Sequence, residues 1–146
     1  MMVGKCLHNA GSELDRPSRG LYYTREAIFH LVIGKSYPIY GMSIFNGGLT
    51  VLVRDETGAP GWYPSALFDI PYQALPTDWE FALVDGPAAS GTEALGEWGE
   101  GKLAAISGFR ELVNDLTFTD RLIECDPDAL RTFEQLATRM RDPERG

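Results

Sequence analysis

The chain has 146 residues, 44% apolar and 23% charged, which is the make-up of an ordinary globular domain with enough material for a core. Its 13 basic and 21 acidic residues give a net charge of −8. That balance argues against a nucleic-acid backbone or an anionic membrane as partner, since both are met by Lys and Arg, and it favours a basic protein partner.

Residues 1–27 hold Gly11, Pro17, Ser18, Arg19 and Gly20 among mixed polar groups, and read as an irregular N-terminal arm that packs through Leu7, Leu14, Leu21 and Tyr22. Regular structure is expected from Ala27-Ile-Phe-His-Leu-Val-Ile33, a strand by its β-branched and aromatic content, ending at Gly34-Lys35. Pro38 cannot donate a ladder hydrogen bond, so Tyr37-Pro-Ile-Tyr40 belongs at an edge or a bulge. Met42–Phe45 then meets Asn46-Gly47-Gly48, a hairpin signal, and Leu49–Val53 returns antiparallel. A second polar turn, Arg54-Asp-Glu-Thr-Gly58, leads into Gly61-Trp-Tyr-Pro64 and a last short strand, Leu67–Ile70. Strands this short and tightly joined predict a closed small barrel, which removes exposed edges.

Past Pro71, Leu75–Val84 reads as a turn and a strand with Trp79, Phe81 and Leu83 on one face, an extension of the barrel's sheet. Residues 85–101 carry five glycines and one proline and read as a long exposed loop, a place where function often sits. Residues 102–108 fit either a strand or the start of a helix, and 109–116 and 119–124 fit short helical turns. The last helix is the clearest. Asp126 is a suitable N-cap, Pro127 suits the first helical position and Asp128 favours the dipole of the first turn. Leu130, Phe133, Leu136, Ala137 and Met140 then share one face, with Arg131, Gln135 and Arg139 turned away. The whole is expected to be one α+β domain, mainly β: arm 1–27, antiparallel barrel 28–84, acidic Gly-rich loop 85–101 and a mostly helical segment 102–146.

No motif of hydrolytic, nucleotide-phosphate or zinc chemistry stands out. His30 lies in an apolar run, His8 has only Cys6 nearby in sequence, and no serine has a Gly-x-Ser-x-Gly context. A non-enzymatic role with no metal or cofactor is expected. Cys6 and Cys125 are far apart without metal spacing, and the start lacks a signal-peptide apolar region, so a reduced, cytoplasmic protein is the simplest reading.

The charge is unevenly placed. Residues 1–75 are balanced at six acids and six bases, whereas 76–128 carry twelve acids against Lys102, Arg110 and Arg121, a net of −9. Within the loop, Glu93, Glu97 and Glu100 surround Trp98, the pattern of an interface in which acids steer a basic partner and an aromatic anchors it. Asp115 and Asp120 are expected to extend that surface.

Two resemblances follow from these residues. The order Gly61-Trp-Tyr-Pro-x-x-Leu-Phe68 resembles the end of Src-homology-type (SH3-like) barrels, which implies a strand, a 3₁₀ turn started by Pro64 and a final strand, over residues 28 to 71. Such barrels bind proline-rich peptides, so Tyr37, Tyr40, Trp62 and Tyr63 form an alternative peptide groove, although the family's Ala-Leu-Tyr-Asp-Tyr motif and paired tryptophans are missing. The small acidic module as a whole is similar to the immunity proteins that bacteria pair with toxins, which implies a tight complex whose acids block a basic toxin's active site.

Overall fold

The computed structural model describes residues 2–13, 27–45, 48–84 and 103–141. In chain order the strands are β1 (Val3–Cys6), β2 (Ser36–Pro38), β3 (Gly41–Phe45), β4 (Gly48–Arg54), β5 (Pro60–Pro64), β6 (Phe68–Asp69), β7 (Glu80–Leu83) and β8 (Leu103–Gly108). Helices α1 (Arg110–Asn114), α2 (Leu116–Ile123) and α3 (Pro127–Arg141) follow. The fold is α+β with antiparallel pairing throughout, in two sheets ordered β2-β1-β6 and β5-β4-β3-β8-β7.

The run Leu49–Val53 shows how the layers arise. Val51, Leu52 and Val53 are all buried, although successive side chains of a strand point to opposite faces. Val51 and Val53 enter a core with Tyr37, Ile39, Leu67 and Phe68, whereas Leu52 enters one with Tyr40, Ile106, Leu112 and Phe133. The five-stranded sheet therefore lies between the smaller sheet and the helices, and its strand β4 is apolar on both sides.

Pro38 marks the corner between the sheets. It ends β2, the edge of the smaller sheet, as expected for a residue with no N–H. The next two residues divide their hydrogen bonds: Ile39 donates to the Met2 carbonyl at 2.8 Å and Tyr40 to the Leu52 carbonyl at 2.8 Å. The expected β3–β4 hairpin is present, with Phe45 opposite Gly48. So is the polar turn after β4, in which Gly58 takes a φ of 89° and Asp55 Oδ1 accepts from the Thr57 amide at 2.8 Å. Beyond β5, Ser65–Leu67 form a 3₁₀ turn that drops Leu67, fully buried, beneath β6.

Several expectations are corrected. The described strands pair into two sheets rather than one closed barrel, because the second edge of β3 is taken by β8. Ala27–Ile33 is not a strand. It makes one bridge, Ala10 to Ile28, and exposes Ile28, His30, Val32 and Ile33 while burying Leu31. The N-terminal arm instead contains β1, the middle strand of its sheet. A Cβ on Gly4 there would come within 3.2 Å of both Ile70 Cγ1 and Phe68 Cβ, so close strand packing explains a glycine that sequence patterns read as loop. Leu7, assigned to packing, is exposed, and Leu14, Leu21 and Tyr22 lie outside the described residues. Phe81 and Leu83 do share a face, but it is the exposed one, and Trp79 precedes the strand. The open segment at 102–108 contains strand β8, inserted between β3 and β7.

The helical segment follows its caps. Asp115 caps α2 by accepting from the Thr117 amide at 3.0 Å, and Asp126 caps α3 through the Ala129 amide at 3.0 Å, with Pro127 first in the helix as expected. Between them, Cys125 donates to the Leu122 carbonyl and Asp126 to the Arg121 carbonyl at 3.1 and 2.9 Å, closing a Schellman turn in which Cys125 holds φ 59°. On α3, Ala129, Phe133, Leu136 and Ala137 are buried, Leu130 is partly buried, and Arg131, Gln135 and Arg139 are exposed. Cys6 is buried and Cys125 exposed, and neither is in a disulfide. Among the described residues no helix is long and apolar enough to cross a membrane.

Candidate functional site

Of the six residues assigned to partner binding, Glu93, Glu97, Trp98 and Glu100 lie outside the described residues. Asp115 and Asp120 are described; Asp115 sits on the α2 side of a groove that runs along α1, and Asp120 does not line it. At one end of that groove a recess of about 220 Å³ is lined by Asp78, Phe109, Leu136 and Arg139. At the other a recess of about 340 Å³ is lined by Asn114, Asp115, Phe118 and Arg121, and Arg110 and Glu111 border both. Phe109, buried at the end of β8, and Phe118, buried on α2, stack edge to face at 6.3 Å and give the groove an apolar floor.

The arginines along it are paired within the chain. Arg110 Nε meets Glu80 Oε1 at 3.3 Å, Arg121 Nη2 meets Asp115 Oδ2 at 3.1 Å, and Arg139 Nη2 lies 4.0 Å from Glu111 Oε1. Arg121 also lies over the Phe118 ring at 5.6 Å. These pairs are solvent-exposed, and such pairs contribute about 0–1 kcal/mol each, so an incoming basic or acidic group can exchange with them at little cost. Asp78 and Glu124 are exposed acids of the same segment.

Asp115 is more a structural residue than a free contact. Its Oδ1 accepts from the Thr117 hydroxyl at 2.6 Å and from the Thr117 amide at 3.0 Å. Chiefly the Thr117 hydroxyl, opposed by burial and helped by the Thr117 amide and Arg121, holds the carboxyl below the usual aspartate range. A depressed carboxyl pKa stabilises the folded state above the unfolded value and loses that contribution as pH falls through the folded one. Asp115→Ala is therefore expected to lower stability by about 0.5–2 kcal/mol at neutral pH. Urea titrations that find the difference shrinking below the ordinary aspartate range bear this out, whereas a loss independent of pH assigns it to packing. Asp120 is half-buried and does not present a fully open carboxylate.

The alternative aromatic groove is not assembled. Tyr37 and Tyr40 are buried in different cores, and Trp62 and Tyr63, adjacent on β5, point to opposite faces of the sheet and pack against those same two cores. Their chemistry ties loops to strands. The Tyr37 hydroxyl donates to Glu56 Oε1 at 2.6 Å and accepts from the Val32 amide at 2.8 Å, and burial, then Glu56, pushes its pKa up to about 12. The Tyr63 hydroxyl donates to Asp55 Oδ2 at 3.1 Å, and burial, then Asp55, likewise raises it. Glu56 is held low by Lys35, which it meets at 2.6 Å, and by Tyr37. Sequence patterns leave these tyrosines open to a groove as an alternative because they cannot tell an aromatic capping a core from one lining a groove.

His30 is exposed in the irregular segment, and its carbonyl accepts from the Glu56 amide at 2.9 Å. Among the described residues no group of three His, Cys, Asp or Glu side chains is arranged to hold a metal ion. A feature that sequence reasoning missed is an apolar recess of about 110 Å³ on the sheet face away from the helices, lined by Met42, Ile44, Leu49, Leu75 and Phe81 among others. The alternation Glu-Phe-Ala-Leu over 80–83 is its signal in the sequence.

No protein-family model matches the chain, and no curated protein or solved structure matches it at a significant level.

Proposed function

We propose that the chain is a non-catalytic, acidic protein-binding module of the immunity type, which acts in the cytoplasm by occupying the active site of a basic toxin. The observation that carries this reading is the placement of charge. Residues 76–128 hold twelve acids and three bases, and the acids fall both in the sequence between β7 and β8 and, as Asp78, Glu111 and Asp115, along the groove on α1. Arg110 and Arg121 are each engaged by an acid of the same segment, and the negative excess is left to meet a partner. Opposed potentials of this kind raise the association rate and exclude wrong partners.

An open variant of the Src-homology-type strand order, with its strands divided between two sheets, is the scaffold we assign to this module. Supporting it, β1 pairs with β2 and β6, the chain turns a corner at Ile39 and Tyr40 into the β3-β4-β5 meander, and a 3₁₀ turn after Pro64 leads to β6. The addition of β7, β8 and the helices to one side distinguishes it from a peptide-binding barrel. The division of its four aromatics between two cores, with Tyr37 and Tyr40 buried, favours the acidic-surface reading over the peptide groove.

Reversing the loop charges tests the reading. With the partner in hand, Glu97→Lys combined with Glu100→Lys is expected to slow association by about tenfold or more at low salt and to flatten its salt dependence. Unchanged association rates would remove the loop from the interface.

A further inference from the structure

We infer that two copies of this chain associate through β7, antiparallel about a two-fold axis at Ala82, to form one continuous ten-stranded sheet. The proposal is independent of the toxin-binding reading. It starts from the two edges of the five-stranded sheet. The β5 edge is bracketed by Pro60 and Pro64, which have no N–H to offer, and α2 packs against it. The β7 edge has neither proline nor lysine, and among the described residues no strand pairs with its outer side. Native proteins usually blunt such edges, and one left open is a template for pairing.

Hydrogen-bond parity then fixes how a second copy fits. Val84 donates to the Ala104 carbonyl at 2.8 Å, and residues of an antiparallel ladder alternate between bonding inward and outward. Ala82 and Glu80 therefore bond to β8, while the backbone N–H and C=O of Phe81 and Leu83 face outward. The register centred on Ala82 satisfies both outward residues together, placing Phe81 opposite Leu83 of the second copy and Leu83 opposite its Phe81. Alanine, the smallest side chain of the strand, then meets itself at the axis.

The side chains agree with that register. Phe81 and Leu83 are 60% and 79% exposed, high for residues of this size, and in the dimer they form a four-residue apolar stripe. The stripe continues across the sheet through the rows Leu83-Ala105-Ile44-Leu49 and Phe81-Ser107-Met42, where Ile44 and Leu49 are also exposed. Charge permits the approach despite the net −8. Glu80 is the only charged residue of β7, it is paired to Arg110, and it falls opposite Val84 of the second copy. The two Glu80 residues are offset by four positions, roughly 13 Å along the strands, which exceeds the screening length of physiological salt.

Sedimentation velocity on the full chain, from about 10 to 200 µM, tests this. The wild type is expected to shift from monomer to dimer across that range. Leu83→Lys, which charges the stripe, and Leu83→Pro, which deletes one outward N–H and leaves the bonds to β8 intact, are both expected to remain monomeric with unfolding midpoints near that of the wild type. Ile123→Lys, exposed on α2, is expected to dimerise as the wild type does. A wild type that stays monomeric throughout, or a dimer that survives both Leu83 substitutions, overturns the proposal. Should either Leu83 variant unfold, Phe81→Glu replaces it, with the same two outcomes deciding.

Discussion

Phe133→Ala is expected to lower the unfolding free energy by about 3–5 kcal/mol, the range for truncating a fully buried aromatic. Phe133 has no exposed surface and joins three elements at one point. Tyr40, at the corner between the sheets, meets its ring edge to face at a centroid distance of 5.0 Å. From β4, the Arg54 guanidinium lies over the same ring at 5.4 Å. Arg54 Nη2 also comes within 2.9 Å of Glu134 Oε1, an ion-pair contact that is not aligned as a hydrogen bond, and the Arg54 side chain is only 18% exposed. Removing the ring thus opens a cavity and takes away the surface on which a largely buried cation rests. Equilibrium denaturation of Phe133→Ala beside Phe133→Leu separates these effects. Leucine restores most of the volume but not the aromatic face, and is expected to recover part of the loss; full recovery would mean that the contact with Arg54 contributes nothing.

Leu112→Ala is expected to cost about 2–5 kcal/mol, and Gly108→Ala about 1–3 kcal/mol by overpacking, added to the strain of a side chain at the Gly108 φ of 157°. Gly41 of β3 and Gly108 of β8 are directly paired, and together they leave a gap in the sheet into which Leu112 of α1 projects. A Cβ on Gly108 would lie 2.8 Å from Leu112 Cδ2 and 3.1 Å from the Tyr40 carbonyl oxygen. A Cβ on Gly41 would lie 2.5 Å from the same methyl. Leu112 is fully buried and has little freedom to yield. Because the new methyl and the leucine compete for one volume, the double variant is expected to be more stable than the sum of the single effects by about 0.5–3 kcal/mol. Strict additivity in that cycle would show that the glycines are not there to seat Leu112.

These glycines also show what the sequence leaves open. Gly41 and Gly108 read locally as breaks, and only the β3–β8 pairing, between segments more than sixty residues apart, makes them a socket. Gly4 is the same case in β1. By contrast, the α3 helix is legible because its cap, its first proline and its apolar face are all local, and the β3–β4 and β4–β5 hairpins are legible because turn residues stand between the strands they join. Ala27–Ile33 misleads in the opposite sense: its composition favours a strand, but Leu31 alone of the seven is buried and the backbone follows the tertiary contacts. For the site, net charge is additive and needs no structure, so the acidic segment is visible at once. The division of four aromatics between two cores, and the engagement of Asp115 by Thr117 and Arg121, depend on pairings that no local pattern encodes.

The measurement that bears most directly on function is capture of a partner by the immobilised protein from a lysate of the cells that produce it, at low and at high salt, with the retained proteins identified and quantified by mass spectrometry. The account predicts a single basic protein held at near-equal abundance, with its capture slowed as salt rises. No retained protein, or a set of acidic or proline-rich ones indifferent to salt, would contradict it.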